Sequence, residues 1–239
     1  MGKRIIQQRR GRGSGTYRSP SFRFKGEVKH YSLETSGTVT DLVHCAGHSS
    51  PLMEVLFLTG DKGLAFAPEG IKVGDEVSVG NESNNNGSEL KSGSVLKLRD
   101  IPEGTLIHNI ELRPADGGKL VRSAGVFAKI VAKTETAVRV KLPSKKEKLF
   151  LPDCRAAIGI LSGAGKTEKP FLKAGTRFKK MKVRNKLYPK VCGISMNAVD
   201  HPFGGKCSHI KGRPTQSPRN APPGRKVGKI APRRTGRKG

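Results

Sequence analysis

The sequence predicts a mainly β protein, with two small barrels in the middle of the chain and long basic extensions at both ends. Short apolar runs recur about every ten residues between positions 37 and 152. Thirty glycines and 15 prolines favour turns over long helices. The 46 Lys and Arg residues outnumber the 19 Asp and Glu residues, and the excess lies outside the middle of the chain. A chain of 239 residues is long enough for one or two domains with a buried core.

The first predicted element is a basic N-terminal extension, residues 1–26, with eight Lys and Arg residues and no acidic residue. Its stretch RRGRGSGTYRSPSFRFKG mixes arginine and glycine with three aromatic residues. Glycine lets the backbone approach phosphates closely, arginine pairs with phosphate or stacks on bases, and aromatic rings stack on unpaired bases. The composition predicts an extended tail that becomes ordered on RNA. Its candidate RNA contacts are Arg9, Arg10, Arg12, Arg18 and Arg23.

The middle of the chain, residues 27–165, has 17 basic and 17 acidic residues and can fold as an ordinary globule. Short strands at this spacing predict small barrels or a sandwich. The polar stretch at 81–93, NESNNNGSELKSG, predicts a break between a first barrel, 27–95, and a second, 96–165. A single nine-stranded sandwich is the alternative. The predicted strands are 37–45, 52–58, 63–67, 76–79, 94–98, 105–112, 125–132, 136–142 and 147–152.

The second barrel contains a glycine-rich loop, RPADGGKL, at residues 113–120. Four basic residues lie in or beside the loops of this barrel, although the middle of the chain is neutral as a whole. Arg99 is one of them. The other three, Arg113, Lys119 and Arg122, are candidate RNA contacts.

The stretch GILSGAGKT, residues 159–167, imitates the phosphate-binding loop of nucleotide hydrolases. That motif requires a glycine five positions before Gly165, and this chain has Ile160 there. Only the GKT end fits, so the sequence predicts a flexible exit from the barrel rather than a nucleotide site.

The last predicted element is a basic C-terminal extension, residues 166–239. Residues 166–190 have ten basic residues and one acid, and residues 201–239 have eleven basic residues and no acid. Such a segment cannot collapse alone, because its charges repel and it has little apolar surface. Nucleic acid is the polyanion that fits, whereas a solvated charged face and a membrane surface are weaker alternatives. The candidate contacts are Arg177, Lys179, Lys180, Lys206, Arg213, Arg219, Arg225, Lys226, Arg233 and Arg234.

The four cysteines, Cys45, Cys154, Cys192 and Cys207, form no CxxC pair. We expect free thiols in a reducing cytosol, and a metal site at Cys192, Cys207 and His209 is the alternative. No apolar run approaches the ~20 residues that span a membrane, so we expect a soluble cytoplasmic protein with no membrane partner.

Three segments then show a family resemblance. IPEGTLIHNIELRPADGGKLVRSAG (101–125), DCRAAIGILSGAG (153–165) and MNAVDHPFGG (196–205) occur in this order. Together they resemble the universal large-subunit ribosomal protein L-two family, and the ending RNAPPGRKVGKIAPRRTGRKG resembles its archaeal branch. The resemblance implies an OB-like barrel, then an SH3-like rRNA-binding barrel, with basic extensions that thread into large-subunit rRNA.

The resemblance also implies a function. The chain would be a non-enzymatic constituent of the large ribosomal subunit and a primary rRNA-binding protein. It would support subunit association, tRNA placement and the architecture of the peptidyl-transferase region. Its partners would be large-subunit rRNA, neighbouring ribosomal proteins and the small subunit across the intersubunit bridge, in cytoplasmic ribosomes. No cofactor is implied, and structural magnesium at rRNA phosphates is left open.

The loop at 196–205 supplies the remaining candidate residues: Asn197, Asp200, His201, Gly204 and Gly205. By resemblance it matches the family's extension toward the peptidyl-transferase region. Phosphates near His201 would favour its charged form, which suits a positioning contact better than a general base. Asp200 would orient His201 or accept hydrogen bonds from rRNA. The alternatives are direct proton transfer, a purely structural histidine, and a free-standing RNA-processing or RNA-modifying enzyme that uses both residues.

Overall fold

The computed structural model describes residues 3–80, 90–205 and 215–232. The chain divides into two compact units: Ser21–Leu172, and Met1–Pro20 together with Lys173–Gly239. Most of the regular structure in the described residues is β, which confirms the predicted fold class.

The described residues of the larger unit form ten strands in one continuous hydrogen-bonded order, β3-β2-β1-β4-β5-β10-β6-β7-β8-β9. Neighbouring strands are antiparallel except β4 and β5, which are parallel where Val79 pairs with Val95. Two short 3₁₀ helices, Ser21–Arg23 and Ala164–Thr167, lie outside the sheet. The strands are β1 Thr35–Val43, β2 Leu52–Phe57, β3 Lys62–Phe66, β4 Glu76–Val79, β5 Val95–Lys97, β6 Leu106–His108, β7 Ala128–Lys133, β8 Val138–Lys141, β9 Glu147–Phe150 and β10 Arg155–Ile158.

Strands β5 and β10 contribute to two apolar cores. Val95 and Ala157 pack with the valines of β1, β2 and β4, whereas Leu96 and Ala156 pack with the buried residues of β6–β9. The two strands pair in register, Val95 opposite Ala157 and Leu96 opposite Ala156. Because successive side chains of a strand point to opposite faces, the same two strands can serve both cores. The boundary at residue 95 between two barrels therefore stays a prediction.

Each of the nine predicted strands overlaps an observed one, and among the described strands of the larger unit β10 is the one that the apolar pattern did not predict. A flexible segment was predicted at residues 159–167, after β10, and this prediction is wrong for its first residues. Leu161 has no exposed surface and pairs with Pro68 in an isolated β-bridge. The Ser162 hydroxyl donates to the Ala67 carbonyl oxygen at 2.8 Å. The segment that follows β10 is thus packed against the first half of the sheet.

The smaller unit contains helices where the sequence predicted extended tails. In the described part of this unit the helices are α1 Ile6–Gly11 and α2 Ala174–Val183, with 3₁₀ turns at Gly15–Tyr17 and Gly193–Ser195. Two short parallel strands, β11 Gln216–Ser217 and β12 Lys229–Ile230, also belong to it. No described residue of α2 is buried. This explains why apolar periodicity did not reveal the helix.

Asn185 lies two residues after the end of α2, where it terminates the helix and hydrogen-bonds to the N-terminal segment. It adopts a left-handed conformation (φ 47°), and the amides of residues 185 and 186 bond back to the carbonyls of Lys182 and Met181. This is the Schellman termination, in which asparagine is a recognised alternative to glycine. The Asn185 side-chain amide donates to the carbonyl oxygens of Thr16 (2.8 Å) and Arg18 (2.7 Å). No helix in the described part of the chain has the length and apolarity that a membrane crossing requires.

Candidate nucleic-acid interface

A buried carboxylate organises the glycine-rich loop of the larger unit. Glu111 has no exposed surface, and its oxygens accept backbone N–H groups of Ala115 (3.2 Å), Gly117 (3.1 Å) and Arg155 (2.9 Å). The Arg155 guanidinium donates two hydrogen bonds to Glu111 Oε1, from Nη2 at 3.0 Å and from Nε at 3.3 Å. Its Nη1 donates to the Tyr31 carbonyl oxygen. A buried charge needs such partners to offset its desolvation. The pair therefore fixes the start of the loop against β10.

A second carboxylate, Asp116, shapes the outer part of the same loop. It accepts backbone N–H groups of Leu112 (3.0 Å), Arg113 (3.2 Å) and Gly118 (3.0 Å). Partial burial acts to raise the pKa of Asp116, but these three donors together lower it. The predicted contacts Arg113 and Lys119 lie on this ordered loop with their side chains exposed. The structure thus presents two of the loop's basic groups to solvent on a fixed backbone.

Arg122, the third candidate of this loop, is tied to the protein. Its Nη1 donates to the Gly118 carbonyl oxygen and its Nη2 to the Val28 carbonyl oxygen, each at 3.0 Å. Its guanidinium also lies over the Phe66 ring, 5.1 Å from the centroid. Arg122 therefore holds the loop to the N-terminal part of this unit, in addition to any contact with RNA.

The 196–205 loop of the smaller unit is closed by its own backbone. The amide of Gly204 donates to the His201 carbonyl oxygen (2.9 Å), and the amide of Gly205 donates to the Met196 carbonyl oxygen (3.1 Å). A Cβ at Gly204 would lie 2.2 Å from the Asn197 carbonyl oxygen. The buried Gly204 is therefore required by the loop itself.

His201 is positioned by neighbours other than Asp200. Its Nδ1 accepts the backbone N–H of Phe203 at 3.0 Å, so the neutral ring has its proton on Nε2. A Cβ at Gly193 would lie 2.3 Å from the ring. Burial lowers the pKa of His201. The Asp200 carboxylate instead pairs with the Lys3 ammonium at 2.7 Å. Among the described residues no hydrogen bond joins Asp200 to the imidazole, so the expected orienting role of Asp200 is not seen.

A cavity of about 490 Å³ adjoins this loop. The N-terminal segment contributes Lys3, Arg4 and Arg9 to its lining, and the 191–201 segment contributes Asn197, Asp200 and His201. No local pattern in the sequence predicted this cavity. The cavity brings together four predicted contacts: Arg9, Asn197, Asp200 and His201.

The other predicted contacts are distributed over both units. Lys206, Arg213, Arg233 and Arg234 lie outside the described residues, as do Cys207 and His209 of the alternative metal site. Cys45, Cys154 and Cys192 are free thiols, and the described residues contain no metal-ligating group of three. The exposed candidates are Arg12, Arg18, Arg23, Arg177, Lys179, Arg219, Arg225 and Lys226; Arg10 and Lys180 are partly buried.

Sequence reasoning missed the residues that shape these sites. Glu111 and Arg155 are 44 positions apart, and no local pattern links them. Lys3 and Arg4 lie in a recognisable basic stretch, so charge could have suggested them. Asn185 follows a helix with basic residues in its last turn, which is a helix-stop signal that could have been read.

The larger β unit is nearly neutral, the segments joined to it are strongly basic, and exposed arginines and lysines lie on ordered loops. This combination is typical of proteins that bind a polyanion. Comparison with known proteins makes the assignment specific. The family model described as "Ribosomal Proteins L2, C-terminal domain" matches residues 91–225. The chain belongs to this ribosomal protein family, whose curated members bear the name uL2.

The similarity to individual relatives extends over the whole chain. The proteins named "Large ribosomal subunit protein uL2" from Methanococcoides burtonii and Haloarcula marismortui are 49% and 48% identical to it. The one from Natronomonas pharaonis is 46% identical. Each alignment covers 100% of this chain and at least 98% of the relative. These archaeal relatives carry the name of a ribosomal protein and not of an enzyme, in agreement with the predicted non-enzymatic class.

Proposed function

We propose that this chain is a structural constituent of the large ribosomal subunit that binds large-subunit rRNA directly. It would support subunit association, tRNA placement and the architecture of the peptidyl-transferase region. Membership of the uL2 family supports the coarser assignment. The direct contact with rRNA is argued from the distribution of charge.

The observation that carries the proposal is the separation of charge between the two units. The segments 1–20 and 173–239 have 25 Lys and Arg residues and one acidic residue, Asp200. Residues 21–172 have the remaining 21 basic and 18 acidic residues. Nearly all of the net charge of +27 thus belongs to the smaller unit. Phosphates would neutralise it and release their counterions, which favours binding.

The proposed partners of the chain are rRNA, ribosomal proteins and the small subunit. The chain would sit on rRNA in cytoplasmic ribosomes, beside neighbouring ribosomal proteins and near the small subunit across the intersubunit bridge. Structural magnesium could be held by rRNA phosphates. The loop at residues 113–120 and the cavity beside the 196–205 loop are the two proposed contact regions. His201 would act there as a positioning residue.

Co-sedimentation and salt dependence test the proposal. A tagged full-length chain should sediment with large subunits at one copy each. In vitro, the logarithm of its affinity for large-subunit rRNA should fall with log[salt], with a slope of about 0.7–0.9 per phosphate contact. Replacing Arg177, Arg219 and Arg225 by Gln should lower that slope, whereas replacing the exposed Lys62 and Lys72 of the larger unit should change it little. A chain that stays free of subunits, or a slope unchanged by the arginine substitutions, would contradict the proposal.

A further inference from the structure

We propose that the cavity beside the 196–205 loop receives one unpaired nucleotide of the RNA. The base would enter the cavity and its phosphate would stay at the basic rim. This inference rests on the proposed function, and it adds the part of the RNA that this site recognises. The cavity volume of about 490 Å³ is within the range of sites for small molecules.

The cavity offers apolar surface for the faces of a base. Ile6, Val191 and Met196 line it together with the ring of Tyr17. Ile6 and Val191 remain 37% and 53% exposed, so this apolar surface is not covered in the protein alone. Aromatic side chains stack on unpaired bases irrespective of sequence, and aliphatic side chains pack against the faces of such bases. A paired base has its faces covered by its neighbours in the helix and cannot use this surface.

The same cavity offers polar groups for the edge of a base. Gln7 and Asn197 both line it, and each carries an amide with two donors and an acceptor. Within the described part of the chain, no hydrogen bond engages either side-chain amide. Such amides form paired hydrogen bonds with adenine. We therefore assign adenosine as the favoured nucleotide.

The rim carries the charge that a phosphate requires. Arg4 and Arg9 line the cavity, and no ion pair with a described residue neutralises either of them. Lys3 has a different role, because it joins the two walls. Its backbone N–H donates to the Val199 carbonyl oxygen at 3.1 Å, and its ammonium pairs with Asp200. The walls are thus linked before any RNA binds.

The test uses the full-length chain and three RNA hairpins with the same stem. One hairpin is fully paired, one has a single bulged adenosine, and one has an abasic residue in place of that adenosine. Only the bulged hairpin offers a base for stacking, so it should bind roughly 5- to 150-fold more tightly than the other two. Gln7→Ala and Asn197→Ala should each reduce this preference several-fold. Thr136→Ala, an exposed substitution in the larger unit, should leave it unchanged.

Each other result overturns a defined part of the reasoning. Equal binding of all three hairpins would refute the nucleotide site while leaving the proposed function intact. If the bulged hairpin bound no more tightly than the abasic one, the protein would recognise the bent RNA backbone and not the base. A preference retained in both variants would place base recognition elsewhere. Failure to bind any hairpin, combined with failure to bind large-subunit rRNA, would refute the proposed function as well.

Discussion

The substitution Glu111→Gln tests whether the buried carboxylate holds the glycine-rich loop. Oε1 of Glu111 accepts hydrogen bonds from the Gly117 backbone N–H and from two nitrogens of the Arg155 guanidinium. Oε2 accepts the backbone N–H groups of Ala115 and Arg155. A glutamine keeps only one acceptor oxygen, so its NH₂ group would face two backbone donors. It also leaves the mostly buried Arg155 guanidinium without an opposite charge.

The expected loss follows from these contacts. Removing one partner of a buried ion pair costs about 3–5 kcal/mol. Two lost hydrogen bonds to a charged acceptor, at about 1.5–3 kcal/mol each, give a similar figure. The free energy of unfolding of the full-length variant should therefore fall by about 3–5 kcal/mol in urea denaturation. Because m is roughly 1–3 kcal/mol/M, the midpoint should fall by at least about 1 M.

The matched control is Glu147→Gln, which removes an exposed carboxylate 3.9 Å from Arg139. Exposed pairs contribute about 0–1 kcal/mol, so its midpoint should remain close to that of the parent protein. If Glu111→Gln were as mild as the control, the carboxylate would not be what orders the loop, and the structural account of Arg113 and Lys119 would fail with it.

Three further predictions concern pH, the end of α2 and the 196–205 loop. Burial lowers the pKa of His30 and of His108 from 6.5 to about 4, so the unfolded chain binds more protons between these values. Stability should be full above about pH 6.5 and should fall as the pH drops toward 4; urea midpoints that are equal at pH 7.5 and pH 4.5 would contradict this. Asn185→Ala should accelerate proteolysis of the N-terminal segment, because two side-chain hydrogen bonds are lost. Asn185→Gly keeps the left-handed turn and should have the same effect. If both variants resisted protease as the wild type does, these hydrogen bonds would not be what holds the segment. Gly204→Ala should make the 196–205 loop sensitive to protease, because the added Cβ would clash with the backbone of the loop. The control Gly175→Ala should not, because no atom lies within 4 Å of the added Cβ. Equal protection of both variants would show that the loop has room to relax.

The sequence was informative where one face of a strand is buried and local alternation is strong. It failed at β10, whose residues Ala156 and Ala157 are both buried, each against a different core. Because both faces of this strand are buried, its sequence lacks the alternation of polar and apolar residues that marks a strand with one buried face. Two short alanines add little apolar signal of their own.

The candidate site was predictable in its chemistry and not in its geometry. Charge counting identified the basic segments, and the Asp200–His201 pair was visible in the sequence. The cavity was not, because it joins residues 3–17 to residues 191–201 across most of the chain. The partner of Asp200 is Lys3, and no local spacing could have indicated a contact over that distance. Helix α2 was missed for a different reason: none of its described residues is buried, and its few apolar residues stand among four basic ones, which leaves only a weak apolar stripe.

The shared use of β5 and β10 has a consequence for how the larger unit opens. Separating β4 from β5 would expose Val95 and Ala157, and their strand neighbours Leu96 and Ala156 belong to the second core, so opening of the first half should weaken the second. Hydrogen exchange should therefore report a single slow class of amides on both sides of β5, with no independent sub-global unfolding of either half. Two cores joined through common strands would then behave as one cooperative body.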